Sequence, residues 1–314
     1  MKNDKLHART ESINPHASLV ICHLSFLKTV TVFMKTTAKE TRVRIGNQSA
    51  FSAAALSDPF EYGIQNSFDA FEWFPDKRAS GAGWDASEIG EETRRHIRNA
   101  ARDRDIRLSV HAPWHANPLQ PEGYDTLLAD LGFAEEIGAG VLNIHLYTEL
   151  GIDAYVKALL PLAERCAQAG IRLSIENTPL TSPQDFNELF ARLRALRVSK
   201  ERVGMCLDLG HANLCGPTRN DYLKFMDLLD PQVPIIHIHL HENYGDCDSH
   251  LTIFTGPAAK DAAGIQGFIR RIKQRGFSGS IILEQWPQPP SLLNQAREKL
   301  KAMLGDLVES PATK

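Results

Sequence analysis

The sequence predicts an α/β chain folded as one (β/α)8 TIM barrel behind an N-terminal extension, and three observations lead there. From Arg42 onward, short β-rich apolar runs alternate with longer segments of helical apolar spacing, the pattern of repeated βα units around a parallel sheet. Most successive runs end roughly thirty residues apart, an ordinary βα repeat length. No stretch rich in Pro, Gly or Ser divides Arg42 from Leu304, a span close to the roughly 250 residues that close an eightfold barrel.

Taken in order, the strands end near Gly46, Trp73, His111, His145, Glu176, Asp208, Leu240 and Glu284. Helices are expected over Glu91–Arg104, Leu127–Ile137, Ala154–Ala169, Pro183–Leu196, Asn220–Leu229, Ile265–Arg275 and Leu292–Leu304. Several stop at a glycine just before the next strand, as at Gly138, Gly170 and Gly276, where a left-handed residue closes the helix. An open doubly wound sheet is the alternative fold, but the chain lacks the GxGxxG and GxxxxGK[ST] loops of its nucleotide-binding versions. The domain reading is an extension over 1–40, a barrel over 41–305 and a polar tail over 306–314.

Within the extension, Ser18 to Met34 is apolar enough to imitate a signal or membrane segment. His23 and Lys28 interrupt it and no clean small-residue cleavage motif follows, so an appendage, or sequence upstream of a start at Met34, is expected and membrane association is not. A hydrophobic share of 43% suffices for a substantial core, and a formal charge of −3 gives no basic excess for non-specific binding to nucleic acid or anionic membrane. The five cysteines, Cys22, Cys166, Cys206, Cys215 and Cys247, are odd in number and show no CxxC spacing, which suits a reducing, cytoplasmic setting.

The chemistry is expected at the strand ends. LSVHAP, LNIHLY, LSIENTP, MCLDLGH, HIHLHEN and IILEQW each place His, Asp or Glu at the end of an apolar run. In a closed barrel such ends meet at the carboxyl face. Strand alternation supports convergence: with Glu176 inward, Ser174 is inward and Ile175 faces the helices. Likewise His237, His239 and His241 share one face, and Ile236, Ile238 and Leu240 the other. Buried carboxylates and imidazoles at this density need charge compensation, and with few basic residues nearby a cation is the simplest compensator. Mixed N and O donors suit Zn, Mn, Fe or Co better than Ca.

In SIENTP, CLDLGHA and HLHENYGDCDSH the sequence resembles the xylose-isomerase-like TIM-barrel superfamily, over about Arg42 to Leu304. That superfamily includes sugar isomerases and epimerases and the endonuclease-IV-type abasic-site nucleases. The resemblance implies that Glu176, Asp208, His239 and Glu284 hold one divalent metal. It further implies that His111, His145, His211, Asp248 and His250 match the added ligands of the nuclease branch, so that one to three ions are in play. The chain departs from the Gly-rich ending common after the seventh-strand loop, reading LTIFTGPAA, and shows no clear counterpart of the base-displacing DNA loops.

The leading expectation is a divalent-metal-dependent isomerase or epimerase of a small sugar or related polyol. Glu176 and Glu284 would exchange the proton at carbon, with substrate contacts from Trp114, His211 and Trp286. Trp73, Trp114 and Trp286 are each also candidates for plain core packing. The alternative is a multinuclear phosphoester hydrolase, endonuclease-IV-type nucleases included. A third class is a non-catalytic barrel binding metal or sugar. A small sugar-like partner is favoured over nucleic acid, and a homodimer is allowed.

Overall fold

The computed structural model describes residues 42–50, 52–77 and 80–305. The expected extension over 1–40 and tail over 306–314 lie outside these residues. Eight parallel strands close into a barrel in chain order: β1 (Arg44–Gln48), β2 (Ala70–Trp73), β3 (Arg107–His111), β4 (Val141–His145), β5 (Arg172–Glu176), β6 (Val203–Asp208), β7 (Ile235–Leu240) and β8 (Ser280–Leu283). β1 pairs with β8 to complete the ring. The expected fold class is therefore the observed one.

The helices between the strands are α1 (Asp58–Gln65), α2 (Glu91–Asp103), α3 (Pro121–Ile137), α4 (Ile152–Gln168), α5 (Pro183–Ala195), α6 (Leu209–Leu214), α7 (Lys224–Leu228), α8 (Ala263–Gln274) and α9 (Ser291–Gly305). None of the described helices is long and apolar enough to cross a membrane. Several differ from expectation. The short α1 and α6 have no counterpart in the apolar periodicity, α3 starts six residues before the expected Leu127, and the segment expected as Asn220–Leu229 is instead a single turn, α7, behind a 3-10 turn at Gly216–Thr218. Local chemistry explains the starts: Ser182 and Asp185 form a reciprocal capping box with Pro183 at the first turn of α5, satisfying amides that a helix start would leave bare.

The core is the shell between sheet and helices. Leu142, Ile144, Leu173, Ile175, Leu207, Ile238 and Leu240 alternate along their strands and are wholly or nearly wholly buried against the helix layer. Burying each such side chain contributes about 1.5–3 kcal/mol before chain entropy is counted. Trp73, one of the three tryptophans weighed for core packing, belongs to this core, with ring contacts to Phe60, Phe71, Trp84 and Phe133.

The barrel interior is polar at both ends. At the amino end, β1, β3 and β5 open with Arg44, Arg107 and Arg172. Arg44 pairs with the Asp105 carboxylate at 2.7 Å, Arg107 donates to the Ser278 carbonyl at 3.0 Å, and Arg172 donates to the carbonyls of Glu201 and Lys200 at 3.2 and 3.3 Å. At the other end the register sets His145 beside Glu176 and Asp208 beside His239.

Candidate metal centre

Glu176, the last residue of β5, is the hub of the carboxyl end. It is fully buried, with Oε2 3.0 Å from His111 Nε2 and 3.2 Å from His239 Nδ1, and Oε1 3.3 Å from His211 Nδ1 and 3.9 Å from His145 Nε2. Asn143, on the adjacent strand, donates its amide to Oε2. Asp208 Oδ2 stands 3.8 Å from His239 Nδ1, and its Oδ1 3.3 Å from His241 Nε2. Glu284, one residue past β8, brings Oε1 to 3.6 Å from His239 Nδ1 and Oε2 to 3.7 Å from His250 Nδ1. In the loop after β7, Asp248 Oδ2 lies 3.2 Å from both His211 Nε2 and His250 Nε2. All nine candidate ligands named from the sequence thus gather at one end of the barrel.

Local backbone chemistry builds this arrangement. Asp208 caps α6 by accepting the His211 amide at 2.6 Å, so the Asp-Leu-Gly-His run is at once a helix start and a pair of site residues. The glycine inside it is obligatory, because a Cβ on Gly210 would fall 2.0 Å from His241 Cε1. His250 turns back toward the mouth with φ of 44°, a left-handed conformation that costs a non-glycine residue about 1–3 kcal/mol. The unusual LTIFTGPAA stretch is anchored by Glu242, which accepts the amides of Gly256 and Ala258 at 2.8 and 2.9 Å.

The donor set fits a divalent cation. His111, His211 and His250 each set Nδ1 against a backbone carbonyl, those of Ala112, Asn177 and Glu284, at 2.7 to 2.9 Å. A carbonyl only accepts, so Nδ1 carries a proton and Nε2 is the nitrogen left to a cation that displaces its own proton, the outer-sphere pattern of metal-ligating histidines. Glu176 Oε1, Asp208 Oδ2, Glu284 Oε2 and both nitrogens of His241 are buried with no hydrogen-bond partner among the described residues. Buried polar atoms left in that state are costly unless something binds them.

The electrostatics are those of a crowded, desolvated cluster. Burial alone would drive the His111 imidazole down, yet Glu176 beside it raises it to about 9. His250 is raised to about 9, burial again opposing, by Glu284 and Asp248. His145 follows its burial, falling to about 3 against the pull of Glu176. Burial pushes Glu284 up, while Glu176 is held well below the carboxylate range: the histidines around it, His239 first, overcome a burial penalty of the opposite sign.

The aromatic candidates separate. Trp114 is half exposed, with its ring 5.0 Å from that of His145, whereas Trp286 packs edge-on against Tyr62 of α1 at 5.6 Å. Sequence reasoning did not single out Glu72, on β2, which is wholly buried and contacts both His237 and His239. Nor did it assign a site role to His241, which reaches Asp208, Asp248 and Glu284. For Glu72 the available signal was a carboxylate between Phe71 and Trp73 in a strand otherwise wholly apolar.

Fold and site together describe a barrel with a buried cluster of imidazoles and carboxylates at the carboxyl ends of its strands. Residues 61–303 match the xylose isomerase-like TIM barrel family, and the chain belongs to it. It is 24% identical over 208 residues to the uncharacterized protein MJ1311 of Methanocaldococcus jannaschii, a match covering 58% of this chain and 66% of that protein, just under two thirds of its length. Among solved structures, a D-tagatose 3-epimerase-like protein superposes with a TM-score of 0.67 at 21% identity, over 85% of this chain and 100% of that one. Endonuclease IV from Thermus thermophilus superposes with a TM-score of 0.58 at 19% identity, over 84% and 99%. At these identities the two likenesses speak for the fold.

Proposed function

We propose that the protein is a divalent-metal-dependent isomerase or epimerase of a small sugar or related polyol, working by proton transfer at carbon. The observation that carries this reading is that two buried carboxylates from different strands, Glu176 and Glu284, approach one imidazole nitrogen, His239 Nδ1, at 3.2 and 3.6 Å. Moving a proton off one carbon and back onto it from the other face, or onto its neighbour, takes two such groups about one substrate position. Glu176 takes the proton, its Oε2 oriented by the Asn143 amide, and Glu284 returns one. Glu176, Asp208, His239 and Glu284 would hold the metal, whose contribution when bound is to polarise substrate oxygens as a Lewis acid. Trp114 and His211 are the candidates for substrate contact nearest the imidazole cluster, Trp114 by stacking on a sugar face. The described cysteines, Cys166, Cys206, Cys215 and Cys247, are free, in keeping with a cytoplasmic enzyme.

The test is deuterium incorporation. Mn2+-reconstituted protein is incubated in D2O with a panel of ketoses, aldoses and their phosphates, and exchange at carbon is followed by NMR. Exchange with a panel member, abolished in Glu176→Gln and Glu284→Gln while substrate still binds, is the expected result; undiminished exchange in both variants would sink the assignment.

A second reading, metal-assisted hydrolysis of a phosphoester, is favoured by one specific observation. His211, His241, Asp248 and His250 form a further group whose donor atoms lie within 4.8 Å of one another, beside a group made by His111, His145 and Glu176. Together these offer more donors than one ion uses, and several ions suit phosphoester cleavage. Cleavage of an abasic-site duplex or a simple phosphodiester by the wild type, lost in His145→Ala and His250→Ala, would move the assignment to this class.

A further inference from the structure

Below the centre, inside the barrel, Glu72 stands between two histidines of β7. Its Oε2 is 2.8 Å from His237 Nε2 in a hydrogen bond, and its Oε1 is 2.6 Å from His239 Nε2, although that approach lies off the line of an ideal N–H bond. All three side chains are buried, at 0–1% exposure, so no solvent mediates between them. Glu72 Oε1, at 2.6 Å from Nε2, is the carboxylate oxygen nearest either nitrogen of His239, so in the neutral imidazole the proton belongs to Nε2. Nδ1 of His239 faces Glu176 at 3.2 Å, Glu284 at 3.6 Å and Asp208 at 3.8 Å, and is then the nitrogen whose lone pair a cation among those carboxylates would take.

The geometry points to Glu72 as a positioning residue: with His237 bracing its second oxygen, it fixes the tautomer and ring plane of His239 so that Nδ1 is offered to the cation. This rests on the reading of His239 as a metal ligand. It also explains a contrast within the cluster. His111, His211 and His250 are set by backbone carbonyls on Nδ1 and offer Nε2. His239 is turned end for end, and a backbone carbonyl has been replaced by a side-chain carboxylate from a strand far away in the sequence. A carboxylate is the stronger acceptor and makes the imidazole a better donor.

The experiment has two independent readouts on full-length protein. Zn2+ affinity is measured by competition with a chromophoric chelator in the wild type, Glu72→Gln and Glu72→Leu. The amide introduced by Glu72→Gln keeps the shape of the side chain but cannot accept protons from both histidines. Affinity is expected to fall by about 10–100-fold in both variants, the usual effect of removing an outer-sphere partner. The His239 tautomer is read in metal-free protein, at a pH where its imidazole is neutral, by 15N NMR of labelled histidine, with assignment through His239→Gln. Wild type is expected to carry the proton on Nε2, and Glu72→Gln to shift population toward Nδ1. Unchanged Zn2+ affinity in Glu72→Gln, or a wild-type His239 protonated on Nδ1, would overturn the inference. Should Glu72→Leu fail to fold, the near-isosteric Glu72→Gln variant and the wild-type spectrum decide. If the wild type binds no Zn2+, the metal reading fails, and the Glu72 assignment stands or falls on the tautomer alone.

Discussion

The two ends of the barrel are formed by the same eight strands and use charge in opposite ways. At the amino end, Arg44, Arg107 and Arg172 direct their donors to Asp105 and to the carbonyls of Ser278, Glu201 and Lys200, tying strand starts to neighbouring loops. At the carboxyl end, imidazoles and carboxylates crowd together, and Glu176, Asp208, His241 and Glu284 keep buried atoms without partners among the described residues. Apart from Arg44 Nε, the guanidinium groups of one end find acceptors within the chain, while the other end gathers carboxylate oxygens and imidazole nitrogens that find none among the described residues. Charge that closes a fold is locally paired, and charge kept for chemistry is held by the scaffold at a cost in stability.

The comparison can be broken most severely at the carboxyl end. Glu176→Gln should lower carbon-proton exchange by about 10²–10⁴-fold, the range for loss of a general base. Glu284→Gln should act in the same direction and, in metal-free protein, should melt no lower than wild type, because burial disfavours the Glu284 charge by more than His239 and His250 favour it, with Asp208 and Glu176 adding to the burial. A large drop in the melting temperature of metal-free Glu284→Gln would show that this end is structural like the other.

Arg172→Met is the complementary experiment. Losing the hydrogen bonds from this half-buried guanidinium to Glu201 and Lys200 should cost about 1–3 kcal/mol in denaturant unfolding. Metal content and turnover should be unchanged, and a parallel loss of metal would mean that the ends are coupled.

A buried acid on the helix layer sharpens the picture through pH. Asp130 of α3 is raised to about 8 by burial, with His111 pulling the other way. From about pH 4, where an unfolded aspartate gives up its proton, to about 8, the folded protein holds a proton that the unfolded chain has lost. Stability should therefore fall as pH rises across that window. Asp130→Asn should flatten this dependence in thermal melts recorded from about pH 5 to 8, and an unchanged slope would assign it elsewhere. The smallest effect belongs to Ser182→Ala, which removes the α5 cap and should cost about 1 kcal/mol of stability without touching either end.

Much of the fold was legible because strand endings and helix starts carry their own chemistry: DLGH is a cap, Gly138 a left-handed helix stop, and the β7 histidines keep strand parity. The first helix was not, since α1 is short and Pro59 and Gly63 dilute its apolar face. The candidate site was legible where a titratable residue ended an apolar strand. It was not where function passes through a partner: Asn143 and Asn177 orient Glu176 and Asp208 without titrating, and Glu72 sits mid-strand with its two histidines on the far side of the ring closure. Such residues show their role only when distant strands are brought together.

The most direct test of the central claim, that the carboxyl end is completed by a cation, is metal stoichiometry. Protein purified without chelator, and protein reconstituted with Mn2+ or Zn2+, would be assayed by elemental analysis, and the ions placed by anomalous scattering. The expected result is an ion held by Glu176, Asp208, His239 and Glu284 and lost in Asp208→Asn; further ions reaching His111, His145 and His250 would favour the hydrolytic reading. A chain that takes up no ion even after reconstitution would contradict the claim.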